Sequence, residues 1–207
     1  MKYKLAIFAV NKPKGLTSRQ VVNKIQKETG IKKVGHAGTL DPLASGVLVI
    51  GVGREATKKL SLEVVKEKEY IAKIKLGKIS TTDDSEGEKT TIKIDKIPKK
   101  DEIENKLNTF SGEIMQTPPL YSAVKVKGKE AYKLARKGKT FRLKPRKVYI
   151  KEIEIIEYKW PTLKLRIITG PGVYIRSIAR DLGGYMTDLQ RIRVGNFKLK
   201  DAYTLTF

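Results

Sequence analysis

One aspartate, Asp41, lies in a stretch of sequence that consists almost entirely of small, uncharged residues. The stretch covers residues 35–46, GHAGTLDPLASG, and it includes His36, the only histidine of the chain. A carboxylate can act as a nucleophile or as a general base where the groups around it leave room for a substrate. Because the glycines of this stretch have no side chain, a bulky planar ligand could approach the main chain closely. The stretch therefore makes Asp41 a candidate for a functional carboxylate.

Asp41 and His36 also have ordinary structural explanations. Asp-Pro is a common start of a helix, with the aspartate as N-cap and the proline as the first helical residue. A single histidine on such a loop is more often structural or exposed than catalytic. The chain has no cysteine and no second histidine, so we expect no transition-metal site and no disulfide. The absence of cysteine fits a reducing, cytoplasmic location.

Two arginines, Arg176 and Arg180, are four residues apart in a predicted helix and therefore share one of its faces. They could form a solvated basic face, or one of them could turn inward and pair with a buried carboxylate. A carboxylate held by arginine stays ionised and oriented, as a nucleophile requires. Residues 137–147, KGKTFRLKPRK, place six cations around Phe141. This segment suits contact with phosphates, or else it is an exposed basic connection.

The formal net charge of +22, with 44 Lys and Arg against 22 Asp and Glu, is the strongest signal in the composition. Such an excess favours a polyanionic partner, most simply a nucleic acid. A lysine-biased or heat-adapted surface would give the same charge without any partner. A membrane partner is not expected, because no apolar run is long enough to span and no helix pairs a broad apolar face with a basic one.

The apolar pattern predicts strands and helices that mix without regular alternation. Thr17-Ser18-Arg19-Gln20 reads as a capping box before a helix that Gly30 ends. Further helices are predicted over residues 101–110, 130–137 and 173–182, and strands over residues 5–10, 47–52, 70–76, 148–158 and 163–168. The last two strands read as a hairpin. Because strict βαβ order is absent, we expect one α+β domain over residues 1–207, with a mixed, mostly antiparallel sheet flanked by helices.

Residues 51–56, GVGREA, have the spacing of a dinucleotide-binding fingerprint, G-x-G-x-x-A. The acidic residue that usually follows about twenty residues later is absent, because Tyr70 begins a predicted strand there. We therefore expect a tight turn from a strand into a helix at this point.

Five segments, in the same order along the chain, resemble the TruB family of RNA pseudouridine synthases. They are NKPKGLTS (residues 11–18), GHAGTLDPLASGVLVIGVGREATK (35–58), KEYIAKIKLG (68–77), TPPLYSAVKVKGKEAYKLARKG (117–138) and GPGVYIRSIARDLG (170–183). The second segment is long and specific, and together the five cover nearly the whole chain. The resemblance implies the pseudouridine-synthase fold and an isomerase that needs no cofactor and no metal.

The resemblance also implies roles for individual residues. Asp41 corresponds to the catalytic aspartate, His36 to the residue that wedges into the RNA loop, and Tyr70 to the ring that stacks on the target base. The vacated stack must be filled because the target base has to leave it before the reaction.

Three more residues are implied to form the pocket. Arg176 matches the arginine that pairs with the catalytic carboxylate, Tyr174 lies beside it, and Leu189 matches an apolar pocket residue. Lys12-Pro13 belongs to the first segment of the family, where we expect a structural role.

By the same resemblance, we expect a monomer that acts on the T-loop uridine of tRNA. Bacterial members typically continue into a C-terminal RNA-binding PUA domain, whereas this sequence stops at Phe207, so we expect no separate domain of that kind. A guide-RNA partner, as in archaeal and eukaryotic relatives, is the alternative within the family. Two other classes remain: a non-catalytic RNA-binding protein, which needs no carboxylate at position 41, and a glycoside-type hydrolase. The hydrolase would need a second carboxylate. Asp83, Asp84 and Glu86 could offer one, but they lie in a polar loop that we expect to be exposed.

The charge predicts that RNA binding is strongly electrostatic. If about five phosphates are neutralised, the log–log slope of affinity against salt is about −3.5 for single-strand-like binding. Affinity should then fall roughly 100-fold between 50 and 200 mM salt. Filter binding of a tRNA transcript across this range measures the slope, and a nearly flat titration would contradict the prediction.

Overall fold

The structure, a computed structural model, describes residues 6–205. These residues divide into two compact units. Unit 1 contains residues 6–71, 168–171 and 188–205, and unit 2 contains residues 72–167 and 172–187. Each unit therefore combines segments that are distant in the sequence.

Five α-helices and fourteen strands lie within residues 6–205. The helices are α1 Ser18–Thr29, α2 Arg54–Val64, α3 Lys100–Asn108, α4 Ala131–Ala135 and α5 Ile175–Asp181. The strands are β1 Ile7–Lys12, β2 Val34–Ala37, β3 Ala44–Val52, β4 Lys68–Leu76, β5 Lys78–Ser80, β6 Lys89–Thr91, β7 Gly112–Gln116, β8 Lys125–Val126, β9 Lys129–Glu130, β10 Arg146–Lys159, β11 Thr162–Thr169, β12 Gly184–Val194, β13 Phe197–Lys198 and β14 Tyr203–Thr204.

The sheet of unit 1 is mixed and has the strand order β14-β1-β3-β12. The central strand, β3, is almost completely buried, as its nearly continuous apolar sequence predicts. β1 and β2 run antiparallel to β3, whereas β12 runs parallel to it with Leu189 opposite Ala44. At the margins, β14 pairs parallel with β1, and β13 pairs antiparallel with β12.

Two helices complete unit 1. α1 buries Val21, Val22 and Ile25, which recur at helical spacing, and α2 packs against β2 and β3 and buries Leu60. The turn into α2 at Gly53 is the strand-to-helix turn that the GVGREA segment predicts.

Unit 2 has the strand order β12-β4-β11-β10-β7, in which β12, β4 and β11 contribute only their residues within this unit. β10 and β7 are antiparallel, with Arg146 opposite Gln116. α3 packs against β10, and α5 buries Ile178 and Ala179. The pairs β5–β6 and β8–β9 form two small separate sheets.

Most of the elements predicted from the sequence are confirmed, including the mixed sheet and the capping box. The predicted β10–β11 neighbours are adjacent in the sheet. The helix predicted over 173–182 starts at Ile175, because Tyr174 is still extended, with φ −104° and ψ 113°. The helix predicted over 101–110 ends at Asn108, so Phe110 lies beyond it. The first residue of the strand predicted over 5–10, Leu5, lies outside the described residues.

The capping box predicts a measurable contribution to stability. The Thr17 hydroxyl accepts from the N–H of Gln20 at 3.1 Å, and the Gln20 side chain accepts from the N–H of Thr17 at 2.8 Å. Thr17→Ala should therefore lower the free energy of unfolding by about 1 kcal/mol. Thr17→Ser keeps the hydroxyl and should retain most of this stability. Urea unfolding compares the two variants, and equal losses would show that the hydroxyl is not the cap.

Candidate active site

Asp41 lies in the loop between β2 and β3 of unit 1, in a turn. The N–H of Ala44 donates to the carbonyl of Asp41 at 3.0 Å, and β3 starts at Ala44. The interpretation of Asp41-Pro42 as a helix start is therefore wrong, because the fixed φ of proline serves a turn here. The side chain of Asp41 is half-buried.

Lys12, the last residue of β1, holds this turn with a buried ammonium group. Its Nζ donates to the carbonyl of Leu16 at 2.6 Å and, at 3.5 Å, to that of Pro42. The N–H of Gly15 donates to the same Pro42 carbonyl at 2.8 Å. The residue after Asp41 is thus bound to the segment that follows β1, and Lys12 has the structural role that the sequence predicts.

Burial lowers the pKa of Lys12 to about 8. The carboxylate of Asp41 opposes this shift, and the positive charge of Arg191 adds to it. Lys12 is therefore still mostly protonated at pH 7 and places a positive charge near Asp41. Between about pH 8 and the ordinary value of 10.5, the unfolded chain binds a proton that the folded chain lacks. This group alone therefore makes folding more favourable as the pH rises through that window.

Ser18, the first residue of α1, holds the residue before Asp41. Its Oγ donates to the carbonyl of Leu40 at 3.1 Å and accepts from the N–H of Leu40 at 2.9 Å. Both residues are buried, so water does not replace these bonds. One hydroxyl thus satisfies both main-chain groups of Leu40.

Arg191 of β12 holds the start of the loop and the strand β3 that follows it. Its Nη2 donates to the carbonyl of Gly38 at 3.0 Å, and its Nε donates to that of Val47 at 2.8 Å. Arg191 is itself buried and lies opposite Gly46 in the parallel pairing of β12 with β3. The buried guanidinium of Arg191 therefore bonds to main-chain carbonyls on both sides of Asp41.

The close approach of β12 explains why position 46 requires a glycine. A Cβ on Gly46 would lie 2.2 Å from the carbonyl oxygen of Arg191. The φ of Gly46 is +105°, which also favours glycine. Gly35 is also packed, since its Cβ would lie 3.2 Å from Leu60. The interpretation that these glycines leave room for a ligand is wrong for both positions, where the space is taken by the protein.

His36 lies on β2, opposite Ile50 of β3, and is half-buried. Burial lowers the pKa of His36, and the positive charges of Arg19 and Arg191 lower it further. The ring is therefore neutral at pH 7. Its Nδ1 is buried and has no hydrogen-bond partner among residues 6–205.

Tyr70 and Leu189 are buried residues on β4 and β12. Lys68 fixes the start of β4, because its buried Nζ donates to the carbonyl of Lys66 at 2.7 Å. Leu189 is fixed by its pairing opposite Ala44, three residues after Asp41. Unit 1 thus contains four of the predicted site residues: His36, Asp41, Tyr70 and Leu189.

Unit 2 contains the other two, Arg176 and Tyr174. Arg176 turns inward from α5 and is only 5% exposed. It donates to the carbonyls of Thr82 at 3.0 Å and Tyr121 at 2.9 Å, and its Nη1 lies 3.6 Å from Asp84. The interpretation as a solvated basic face is therefore wrong for Arg176. Its pairing with Asp41 stays a prediction.

The loop with Asp83 and Asp84 is buried, contrary to the sequence-based expectation. These residues are 8% and 4% exposed, whereas Glu86 is exposed as expected. Asp83 lies 3.2 Å from Arg180, and burial raises the pKa of Asp83 even though Arg180 and Arg176 oppose the shift. The expectation failed because a polar sequence gives no sign of burial when the burial depends on ion pairs with a distant helix.

Tyr174 is half-buried and immediately precedes α5. The guanidinium of Arg146 lies over its ring, with Cζ 5.1 Å from the ring centroid. Arg146 belongs to the basic segment 137–147 and is half-buried, so the interpretation as an exposed connection is wrong for this residue. The other five cations of the segment are exposed.

Sequence reasoning missed the roles of Ser18 and Arg191. Ser18 lies in the NKPKGLTS segment, whose sequence indicates only a capping box at this position. Arg191 lies in an alternating run of charged and apolar residues, where nothing distinguishes it from a surface arginine.

The arrangement fixes a single carboxylate on a loop whose main chain is held at Gly38, Leu40, Asp41 and Pro42. Such a carboxylate is suited to nucleophilic or general-base chemistry. Within residues 6–205, no group of three or more acidic or histidine side chains could hold a metal ion. In the same residues, no helix is both long and apolar enough to cross a membrane.

The contacts of Ser18 predict a large effect for a small substitution. Ser18→Ala would leave the buried N–H and C=O of Leu40 without partners, which should cost about 1–3 kcal/mol of unfolding free energy. The control is Ser61→Ala in α2, since the Ser61 hydroxyl makes an exposed bond to the carbonyl of Lys58. The control should stay within about 0.5 kcal/mol of the parent. Urea unfolding measures both, and similar values would contradict the anchoring role of Ser18.

Comparison with known proteins identifies the family. The family model described as TruB family pseudouridylate synthase (N terminal domain) matches residues 26–175. The tRNA pseudouridine synthase B of Clostridium kluyveri is 43% identical over 207 residues, covering 97% of this chain and 71% of the relative. The tRNA pseudouridine synthase B of Malacoplasma penetrans is 41% identical, covering 95% of this chain and 88% of the relative.

A solved structure gives the same result for the fold. In a crystal structure of a Cbf5-Nop10-Gar1 complex, one chain matches 97% of this chain with a TM-score of 0.73 and 30% identity. This chain covers 52% of that one. Together with the family match and the two relatives, this result shows that the chain belongs to the TruB family of pseudouridylate synthases.

Proposed function

We propose that this chain is a tRNA pseudouridine synthase that isomerises uridine 55 in the T-loop of tRNA. Relatives with this enzyme name match nearly the whole chain at 41–43% identity. The structural observation that carries the proposal is the anchored loop, in which Ser18, Lys12 and Arg191 hold the main chain around Asp41.

The reaction breaks the bond between N1 of uracil and C1′ of ribose, turns the base, and joins C5 to C1′. The atoms of product and substrate are the same, so the reaction has no net oxidation or reduction. Asp41 supplies the carboxylate, which attacks C1′ or C6 or removes a sugar proton. The small side chains of its loop and the anchors that hold the loop limit water at the cleaved sugar and keep the detached base in place.

His36 and Tyr70 serve the extrusion of the target base from its stack. A neutral histidine ring is suited to fill the vacated position, because it can stack without bringing a charge between bases. The ring of Tyr70 stacks on the extruded base, which contributes about 1–3 kcal/mol in comparable sites.

Arg176, Tyr174 and Leu189 contribute to the binding of the target nucleotide. Leu189 offers an apolar contact, and Tyr174 offers a ring whose position Arg146 supports. Arg176 brings the positive charge that the resemblance assigns to pairing with the catalytic carboxylate.

The RNA partner is the T stem-loop, and its phosphates face the excess of 22 positive charges. The exposed cations of residues 137–147 are suited to such contacts. We infer a cytoplasmic monomer that acts without a guide RNA.

Pseudouridine mapping tests the proposed substrate. The protein is incubated with an unmodified tRNA transcript and, separately, with a transcript in which uridine 55 is replaced by cytidine. Carbodiimide treatment and primer extension should show one pseudouridine at position 55 in the first RNA and none in the second. Modification at another position, or only after a guide RNA is added, would contradict the proposal.

Asp41→Asn should abolish pseudouridine formation, because a neutral amide cannot act as the nucleophile or base. RNA binding should survive, since phosphate contacts supply most of it. The turn should also survive, because it uses the main-chain carbonyl of Asp41. Single-turnover mapping and filter binding measure the two properties.

The control for this variant is Asp95→Asn, which changes the net charge equally at an exposed ion pair with Lys93. It should remain fully active. In a pure binding protein Asp41→Asn would have no effect, and in a hydrolase the product that disappears would be free uracil. Pseudouridine formed by Asp41→Asn, with deamidation excluded by mass spectrometry, would contradict the assignment of Asp41.

A further inference from the structure

Two side chains of unit 2 converge on Tyr174 from adjacent strands. Gln116 is the last residue of β7, and Arg146 is the first residue of β10 and its direct cross-strand partner. Directly opposite residues of an antiparallel pair point to the same face of the sheet. Gln116 contacts the main chain of Tyr174, and Arg146 contacts its ring.

The contact of Gln116 is an amide pairing with both main-chain polar groups of Tyr174. The N–H of Tyr174 donates to Oε1 at 2.8 Å, and Nε2 donates to the carbonyl of Tyr174 at 3.1 Å. A side-chain amide is the neutral group that has a donor and an acceptor side by side. Gln116 is only 3% exposed, so water does not take over either bond.

The amide of Gln116 pairs main-chain groups of Tyr174 that α5 leaves unpaired or only weakly bonded. Tyr174 is extended and precedes the first turn of α5, so its N–H has no helical acceptor. Its carbonyl receives only a 3.4 Å bond from the N–H of Ile178 within the helix. Gln116 therefore determines where the main chain of Tyr174 lies.

α5 itself is anchored by bonds that do not use the side-chain amide of Gln116. Ser177 Oγ and Arg180 Nη2 both donate to the carbonyl of Thr117, at 2.9 and 3.0 Å. Arg176 donates to the carbonyl of Tyr121. Loss of the Gln116 amide should therefore displace Tyr174 while the helix after it keeps its place.

We propose that Gln116 and Arg146 form a clamp that positions the ring of Tyr174 for the target nucleotide, Gln116 through the main chain and Arg146 through the ring face. Both are positioning residues, since each acts through Tyr174. The inference rests on the proposed function in that it takes Tyr174 to contact the substrate. The clamp gives a role to Gln116, which directly precedes Thr117-Pro118-Pro119 and takes no part in the reaction described above.

The position of the ring can be tested without RNA. The protein is labelled with 13Cε-tyrosine, and the signal of Tyr174 among the nine tyrosines is assigned with Tyr174→Phe. Gln116→Met keeps the length but lacks the amide, and Arg146→Lys keeps the charge but lacks the planar group that stacks. Each should shift or broaden the Tyr174 signal. The control, Gln26→Met, removes an exposed amide bond to the carbonyl of Lys32 and should leave the signal unchanged.

The consequence for the reaction is tested by single-turnover kinetics on the tRNA transcript. Gln116→Met should lower the rate at saturating RNA about ten- to a hundredfold, because a misplaced group near the reacting atoms has effects of this size. The dissociation constant for RNA should change by less than about twofold, since no charge is altered. In a Tyr174→Ala background, where the ring is gone, Gln116→Met and Arg146→Lys should each change the rate by less than about twofold.

The outcomes separate the clamp from the proposed function. A Tyr174 signal that neither clamp variant changes would overturn the clamp, even in an active enzyme. Full additivity of Gln116→Met with Tyr174→Ala would also overturn it, because Gln116 would then act by another route. Parent protein without pseudouridine activity would refute the proposed function, and the spectra would still decide whether Gln116 and Arg146 position the ring.

Discussion

A loop without helix or strand leaves its own N–H and C=O groups unpaired, and buried groups of this kind must find partners. The loop that carries Asp41 finds them in three side chains from two distant parts of the chain. Ser18 pairs with both main-chain groups of Leu40, and Lys12 and Arg191 donate to carbonyls on either side. Because the anchors are buried, losing one costs the desolvation of a polar group as well as a hydrogen bond. The position of the carboxylate follows from this constraint.

The choice of cationic anchors affects the chemistry as well as the conformation. The hydrogen bonds described for Lys12 and Arg191 go to carbonyl groups, and their charges act on neighbouring titratable groups. Burial lowers the pKa of His36, and the charges of Arg19 and Arg191 lower it further, so the histidine ring remains neutral. A basic protein thus keeps one uncharged aromatic ring, His36, on the strand that precedes the loop of Asp41.

Local periodicity was enough to predict α1 and β4, because in both the spacing of apolar residues reports directly which face is buried. The resemblance of long segments was enough to predict the family and to single out Asp41. The burial of Asp84 and the role of Arg191 could not be predicted in this way. Each depends on a contact between a polar side chain and a group far away in the sequence, and such contacts leave no periodic pattern. The interpretation of Asp41-Pro42 as a helix start was wrong because one dipeptide is compatible with both a turn and a helix start.

The sequence distance between the loop and its last anchor has a consequence for synthesis on the ribosome. Gly38 and Arg191 are 153 residues apart, which corresponds to about 8–30 s of translation at 5–20 residues per second. During this time β3 lacks its parallel neighbour β12, and the carbonyls of Gly38 and Val47 lack the arginine. The emerging chain already carries many of the lysines that attract RNA. A nascent chain that stops before β12 would therefore hold RNA without modifying it, and competence would arrive only when β12 has been made.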